Sequence, residues 1–342
     1  MIGNLKSQNN YINTKIMFKN KTVLITGGTG SLGKGLIRRL TSQGAKIVIY
    51  SRDEAKQAEL LRTYPNIIRV IGDVRDFDQL DTTMKIHKPN FVFHTGALKR
   101  VDDIEFYPME GIKTNILGTD NVARASLING VEKCALVSTD KSCQSVSTYG
   151  STKFIAERLF TNYDYHSTTT VFCSVRYGNV IASRGSFVPL FLDQIEKDET
   201  ITLTDEHMSR FLFTLEDAVT TVIDSMKHSV GGEVFIPKIK SYTLPTCVKA
   251  LESISGKKAN YTVNGLRPGE KLHESMLDDT ESMLSYEVSD TNLIHIRPQY
   301  SKKVFNEQKY TKYTGPVYIS SNFISEDIDE LVTLIKRGIS EE

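Results

Sequence analysis

An open α/β fold, a doubly wound parallel sheet with a smaller C-terminal substrate-binding part, is predicted by three features of this 342-residue sequence. Short apolar runs alternate with helical patterns from residue 21 to residue 176, with short connections between them. A glycine turn with G-x-x-G-x-x-G spacing, at Gly27, Gly30 and Gly33, separates the first apolar run from the first helical pattern. Beyond residue 185 the alternation loosens, which marks a change of architecture.

Residues 21–26 (Lys-Thr-Val-Leu-Ile-Thr) form the first strand, and an amphipathic helix follows the turn from residue 34. Glycines let backbone amides close on a pyrophosphate, and the helix start adds a partial positive charge. Gly27, Thr29, Gly30, Ser31, Leu32 and Gly33 are the residues that would do this. The second strand, 46–50, runs into Ser51, Arg52 and Asp53, where an adenosine ribose would lie. A carboxylate there accepts from a free 2′-hydroxyl, whereas a guanidinium favours a 2′-phosphate. Arg52, with Lys56 one turn later, therefore points to NADP, and Asp53 keeps NAD open.

Strands at 67–71 and 91–95 lead into Asp73-Val74 and Ala97-Leu98-Lys99, with helical patterns at 53–63, 76–86 and 110–129 between the strands. The apolar run 134–137 opens into Thr139, Asp140 and Lys141. Ligands of such sheets gather beyond the carboxyl ends of the strands, so these separate stretches converge on one crevice of a Rossmann-type fold. Tyr149 and Lys153 share one face if a helix carries them, and a nearby ammonium favours phenolate. YxxxK alone is common by chance. Behind a strand, with an acid and a base roughly ten residues upstream, it becomes a candidate catalytic site.

A sixth strand, 170–176, closes the dinucleotide-binding domain at 20–185, and a helix at 216–227 with a strand at 233–236 return to it within 212–240. Segments 186–211 and 241–303, with helices near 187–197 and 243–255, make the substrate-binding part. A polar tail (1–19) and an extension (304–342) with an acidic helix at 326–337 flank them. Residues 266–274 crowd functional side chains into a Pro-Gly turn that reads equally as a solvated loop. Brought to the crevice, Arg267 would suit a diphosphate and Glu270 would accept from ribose hydroxyls.

Composition narrows the classes further. Hydrophobic residues at 39% and charged residues at 24% are ordinary for a globular domain, and a formal charge of +1 offers no electrostatic case for nucleic acid or membrane surfaces. Residues 1–19 lack an export core, and no run approaches the ~20 apolar residues of a membrane span. Cys134, Cys143, Cys173 and Cys247 have no metal-type spacing and read as reduced thiols, Cys143 as a loop filler. His94 and His207 stand alone, so no metal is expected. A soluble, cytoplasmic protein follows.

Taken together, the motifs resemble the extended short-chain dehydrogenases/reductases, and within them the soluble UDP-N-acetylglucosamine 4,6-dehydratases that invert C5. The carriers include 26–33, 50–54, 72–76, 97–101, the Lys113-Thr-Asn115 stretch, 138–141, 149–153, 176–180, 208–211 and 267–271. Asp140-Lys141 is the specific pair, because dehydratases that retain C5 typically look like Asp-Glu here. The chain departs from the pattern at Ser145 and Ser147, where relatives usually show Pro and Asn. The resemblance implies bound NADP, a UDP-sugar substrate with UDP-GlcNAc favoured, and a homo-oligomer, with a hexamer suggested. It adds Asn115 to the cofactor site, and Lys99, Asn179 and Arg184 to the substrate site beside Arg267 and Glu270.

The chemistry these residues would carry is an internal redox elimination. Tyr149, as phenolate held by Lys153, takes the C4 hydroxyl proton, and the new ketone acidifies C5. Lys141, its pKa lowered to give a neutral amine, removes that proton; Asp140, protonated, releases the C6 hydroxyl as water, with Thr139 beside them. Two rivals remain at this level. A sugar 4-epimerase of the same fold needs neither Asp140 nor Lys141, and a non-catalytic NADP-binding regulator needs none of the four.

Overall fold

The structure is a computed structural model that describes residues 17–183, 186–303 and 310–341. Six parallel strands alternate with helices: β1 (Thr22–Thr26), β2 (Lys46–Ser51), β3 (Ile68–Ile71), β4 (Phe91–His94), β5 (Lys133–Val137) and β6 (Val171–Val175). Their spatial order is β3-β2-β1-β4-β5-β6, so the direction of winding reverses between β1 and β4. That reversal opens a crevice at the carboxyl ends. Successive residues of β1 serve opposite layers. Val23 and Ile25 pack on Leu36, Ile37 and Leu40 of the helix Ser31–Ser42, while Leu24 packs with Leu80, Met84 and Val122 on the other face.

Val234–Pro237 continues the sheet parallel to β6, as the returning segment expected at 212–240. Three further strands then join antiparallel: Leu293–Ile296, Ser285–Val288 and Thr311–Lys312. Residues 241–303 therefore contribute both to this sheet and to the second lobe. Those strands are short and mix Tyr, Glu and His with aliphatic residues, so no alternating pattern announced them. The second lobe buries Phe191, Leu203, Val248, Leu251, Leu331 and Ile335 around the helices Phe187–Glu196, Leu244–Ser255 and Ile328–Ser340. The extension's helix thus belongs to this core.

The helical pattern at 110–129 is not one α-helix. Pro108–Gly111 passes into a π-helical turn, Ile112–Leu117, before α-helix resumes at Gly118–Ile128. Asn115 lies in that turn. It accepts from the Leu98 amide (2.8 Å) and donates to Leu98 O (2.9 Å) and Thr152 Oγ1 (3.0 Å). The widened turn directs Asn115 between the Ala97–Lys99 loop and the Tyr149 helix.

One fully buried cation ties the end of β6 to the segment 276–281. Arg176, just past β6, donates to both oxygens of Glu157 and to both oxygens of Glu281, and to Met276 O at 2.9 Å. Glu157 also accepts from Ser138 and Ser142, which flank the Thr139-Asp140-Lys141 stretch. Arg176→Ala strands Glu157, a wholly buried carboxylate, so it should cost about 3–5 kcal/mol of stability by denaturant unfolding. An unchanged midpoint would show that the network holds nothing.

Candidate active site

The glycine turn has the shape of a dinucleotide cradle. Gly27 sits at φ +69°, and a Cβ there would lie 2.7 Å from Gly96 Cα; at Gly33 it would lie 2.6 Å from Gly28 Cα. Gly30 differs, since only Gly27 O, at 3.4 Å, borders its Cβ position. Gly30 is also the N-cap of the helix Ser31–Ser42, and no side chain caps it. An anion held at that open helix start fits the residues present. A cleft of about 600 Å³ lies in front, lined by Thr29, Gly30, Ser31, Lys34 and Lys99 among others.

At the end of β2 the charges are shared out. Asp53 caps the helix Glu54–Thr63, accepting from the Lys56 amide (3.0 Å), and also pairs with the Lys56 ammonium. Both groups are thereby engaged with each other. Arg52 is held loosely, 3.8 Å from Asp73, with its side chain about half exposed (56%). Asp73 accepts from the Arg75 amide and Nε (3.0 and 2.8 Å), Ser51 Oγ accepts from Gln57, Val74 is buried, and Ala97 is exposed.

The catalytic candidates do come together. Thr139 is extended and caps a 3₁₀ turn, Asp140–Ser142, held by the Asp140 amide donating to Tyr177 O (3.0 Å). Ser147 caps the helix Thr148–His166 by accepting from the Gly150 amide (3.0 Å), so a serine does the capping that an asparagine also can. Tyr149 and Lys153 on that helix are buried. Asp140 Oδ1 accepts from Thr139 Oγ1 (3.0 Å) and Lys141 Nζ (3.1 Å). Lys141 Nζ lies 3.0 Å from Oε1 of Glu274, which is 2% exposed. Around Glu274 stand Lys271 Nζ (3.7 Å) and Arg210 Nε (3.9 Å). Among the described residues, Asp140 Oδ2 and Glu274 Oε2 are buried without a hydrogen-bond partner.

Electrostatics correct two expectations. Burial alone would lower Lys141, but Asp140 and Glu274 on either side raise it above an ordinary lysine. The ammonium, not the neutral amine, is its resting form. Burial pushes the Tyr149 phenol up to about 12, against the Lys141 ammonium and the Thr139 hydroxyl, which pull it down. Lys153 is pushed down to about 8 by burial, with Glu157 pulling it back up. The resting pair is thus a phenol beside a lysine that yields its proton readily, not a phenolate locked by an ammonium. Asp140 follows expectation: burial, helped by Glu274, lifts its carboxyl. Glu274 goes the other way, because Lys141, Arg210 and Lys271 outweigh its burial.

The substrate candidates scatter more widely. Lys99 lines the cleft beside Gly30. Asn179, half-buried in a short strand (Asn179–Val180), has a buried Oδ1 without a partner among the described residues. Arg184 lies outside the described residues. Arg267 is exposed, 3.7 Å from Asp102 and 3.4 Å from Glu270. Its turn does reach the crevice: Gly269 lies against Glu105 and Ser147, and Lys271 Nζ donates to Cys143 O (2.6 Å). Glu274, Arg210 and Glu157 are the residues that sequence reasoning missed. Glu274 sat inside the noted 266–274 stretch, but nothing local distinguished it from a solvated glutamate.

The remaining singled-out groups are structural. His94 is packed between Thr26 Oγ1 (2.7 Å) and Thr119 Oγ1 (2.9 Å), and burial pushes it down to about 3. Cys143 is buried and its thiol is raised by that burial. It stands near Asp278 and Glu281, but Arg176 already occupies both Glu281 oxygens.

Comparison with known proteins places the chain among sugar-nucleotide enzymes. Residues 23–296 match the family model described as polysaccharide biosynthesis protein. The chain is 44% identical over 278 residues to a UDP-N-acetylglucosamine 4,6-dehydratase (inverting) of Campylobacter jejuni, covering 79% of this chain and 81% of that one. It is 40% identical over 283 residues to a UDP-glucose 4-epimerase of Rickettsia rickettsii, covering 80% and 82%. Among solved structures it resembles Pen from Bacillus thuringiensis, with TM-score 0.86, 35% identity, and coverage of 94% and 98%.

The buried lysine of the helix makes a stability prediction for the cofactor-free protein. Between pH about 8 and lysine's ordinary 10.5, the unfolded chain keeps a proton that folded Lys153 has lost. Unfolding free energy from this group therefore rises with pH across that window. Lys153→Met should remove that part of the slope in denaturant titrations; an identical slope would contradict the depressed lysine.

Proposed function

The chain belongs to the polysaccharide biosynthesis protein family, among the nucleotide-sugar dehydratases and epimerases, and from that premise we propose an NADP-dependent UDP-N-acetylglucosamine 4,6-dehydratase that inverts C5. The observation that carries this reading is the pairing of buried Asp140 with partly buried Lys141, close in the chain to Tyr149 and Lys153. A 4-epimerase uses the tyrosine and lysine alone, and two adjacent ionisable groups at 1% and 23% side-chain exposure are costly to keep without a task.

Bound at the glycine turn, a nicotinamide would supply hydride acceptance from C4 and hydride return to C6. The residues would do the rest. Tyr149, a phenol at rest, passes its proton to Lys153 in its neutral form, and the resulting phenolate accepts the C4 hydroxyl proton. With C4 a ketone, the C5 proton becomes removable by Lys141 once its ammonium has been discharged. Asp140, its carboxyl lifted by burial and so readier to hold a proton, would deliver that proton to the C6 hydroxyl, which leaves as water. Reprotonation of C5 from the opposite face gives a 4-keto-6-deoxy sugar of L-arabino configuration on UDP. Arg52 supports NADP over NAD, because Asp53 is engaged in capping its helix and pairing Lys56.

With catalytic NADP⁺ and excess UDP-GlcNAc, a 4-keto product should accumulate without net NADPH. Lys141→Ala should lose C5 deuterium incorporation by at least about a hundredfold. Stoichiometric NADPH would instead mark an ordinary dehydrogenase, and a 4-epimer without water loss would mark the epimerase. A homo-oligomer is also proposed, because Phe106 (82% exposed), Tyr107, Leu117, Phe154 and Ile155 leave apolar surface near the Tyr149 helix. Sedimentation of the wild type should give a multiple of 38.4 kDa, and Phe154→Asp with Ile155→Asp should lower it; a monomeric wild type would refute it.

A further inference from the structure

The C-terminal helix, Ile328–Ser340, takes no part in the chemistry proposed above and lies beyond residues 23–296, the span matched by the family model. Its inner face is Leu331, Ile335 and Gly338, spaced by four and three residues as one helix face requires. Leu331 and Ile335 fill the second lobe's core. Gly338 is different, because glycine inside a helix is unfavourable and has no side chain to bury. A close approach explains it. A Cβ at Gly338 would lie 2.7 Å from Ile181 Cγ2 and 2.9 Å from Ile181 Cβ.

Ile181 belongs to the segment 179–183, which runs from the short strand Asn179–Val180 to the cleft, where Ala182 and Ser183 line it. Ala182 is buried at φ +61°, a left-handed backbone that a non-glycine residue holds only where its surroundings impose it. The helix supplies part of those surroundings at Ile181. Three residues beyond Gly338, Glu341 also lines the cleft, and its Oε2 accepts from the Glu216 amide (2.9 Å) at the start of the helix Leu215–His228. Arg337 pairs with Asp217 on that same first turn. Glu216 is itself fixed to the Rossmann-type part, through Arg38 and Arg39 of the helix Ser31–Ser42. The end of the C-terminal helix is thus moored on one side and presses on the segment 179–183 on the other.

We propose that Gly338 and Glu341 are positioning residues for the sugar nucleotide, seating the segment 179–183 so that it receives the UDP moiety. The assignment rests on the UDP-sugar reading of the site, which gives Asn179 to the substrate. Asn179 Oδ1, buried without a partner among the described residues, is the acceptor this segment offers to a ligand N–H or O–H. The glycine turn is shaped independently, by the close approaches of Gly27 to Gly96 and of Gly33 to Gly28. Loosening the helix end should therefore weaken UDP and leave NADP⁺ alone.

Calorimetry on the full chain, with UDP and with NADP⁺ as separate probes, tests this without turnover. Gly338→Ala improves helix propensity while placing a methyl group against Ile181. Its UDP affinity should fall about tenfold, with NADP⁺ affinity within about twofold of wild type. In turnover the same variant should raise KM for UDP-GlcNAc about tenfold and leave kcat within about twofold, the signature of lost ground-state binding. Glu341→Ala leaves the core untouched and should weaken UDP about threefold or more. Glu341→Gln keeps an acceptor for the Glu216 amide and should recover most of that loss. Wild-type UDP affinity in either Gly338→Ala or Glu341→Ala overturns the inference. So does a parallel loss of UDP and NADP⁺ binding, which would mark general loosening; if Gly338→Ala does not fold, Glu341→Ala decides by the same criteria. Failure of the dehydratase reading looks different, since the wild type would then bind UDP yet form no 4-keto product. A wild type that binds no UDP removes both.

Discussion

A single ammonium held between two buried carboxyls is the interaction on which the site depends. Lys141 touches Asp140 on its own turn and Glu274 from the second lobe. Two carboxylates and one lysine in low dielectric cannot all keep their solution charges. The structure resolves this by environment. Glu274 has Arg210 and Lys271 near it and stays ionised, while Asp140 has a hydroxyl and the shared ammonium and is lifted toward its neutral form. A carboxyl lifted toward its neutral form and a lysine therefore stand 3.1 Å apart, which is what the proposed elimination of water across adjacent carbons needs.

The fold supplies the two halves from different places. The sheet delivers Thr139, Asp140 and Lys141 at the end of β5, and the neighbouring helix presents Tyr149 and Lys153. The second lobe supplies Glu274, Arg210 and Lys271. A second buried charge cluster links these halves, in which Arg176 pairs with Glu157, next to the Thr139-Asp140-Lys141 turn, and with Glu281 from the far segment. Because Glu157 also accepts from Ser138 and Ser142, that cluster is bonded directly to the Thr139-Asp140-Lys141 turn. Packing and chemistry are coupled through these few bonds.

Much of this was legible in the chain. The parallel strands announce themselves as runs such as Thr-Val-Leu-Ile-Thr at 22–26, and Gly27 and Gly30 read correctly as a turn before a helix, although the helix starts at Ser31 rather than at 34 and takes in Gly33. Tyr149 and Lys153 fell on one helix as their spacing required. The short strands at Ser285–Val288 and Leu293–Ile296 did not show, because four-residue elements at the end of a sheet carry too little periodicity. The charge state of Lys141 was also out of reach. It is decided by Glu274, which is 133 residues away in sequence, and local pattern cannot report so distant a neighbour. Asn115 was placed near the cofactor by resemblance, whereas the π-helical turn that aims it at Leu98 and Thr152 has no sequence signature we can name.

The protonation of the two carboxyls at rest can be read most directly by infrared spectroscopy of the intact protein near neutral pH. A protonated carboxyl band should be present in the wild type, vanish in Asp140→Asn and persist in Glu274→Gln. A band that instead survives Asp140→Asn and disappears with Glu274→Gln would reverse the division of charge on which the proposed chemistry is built.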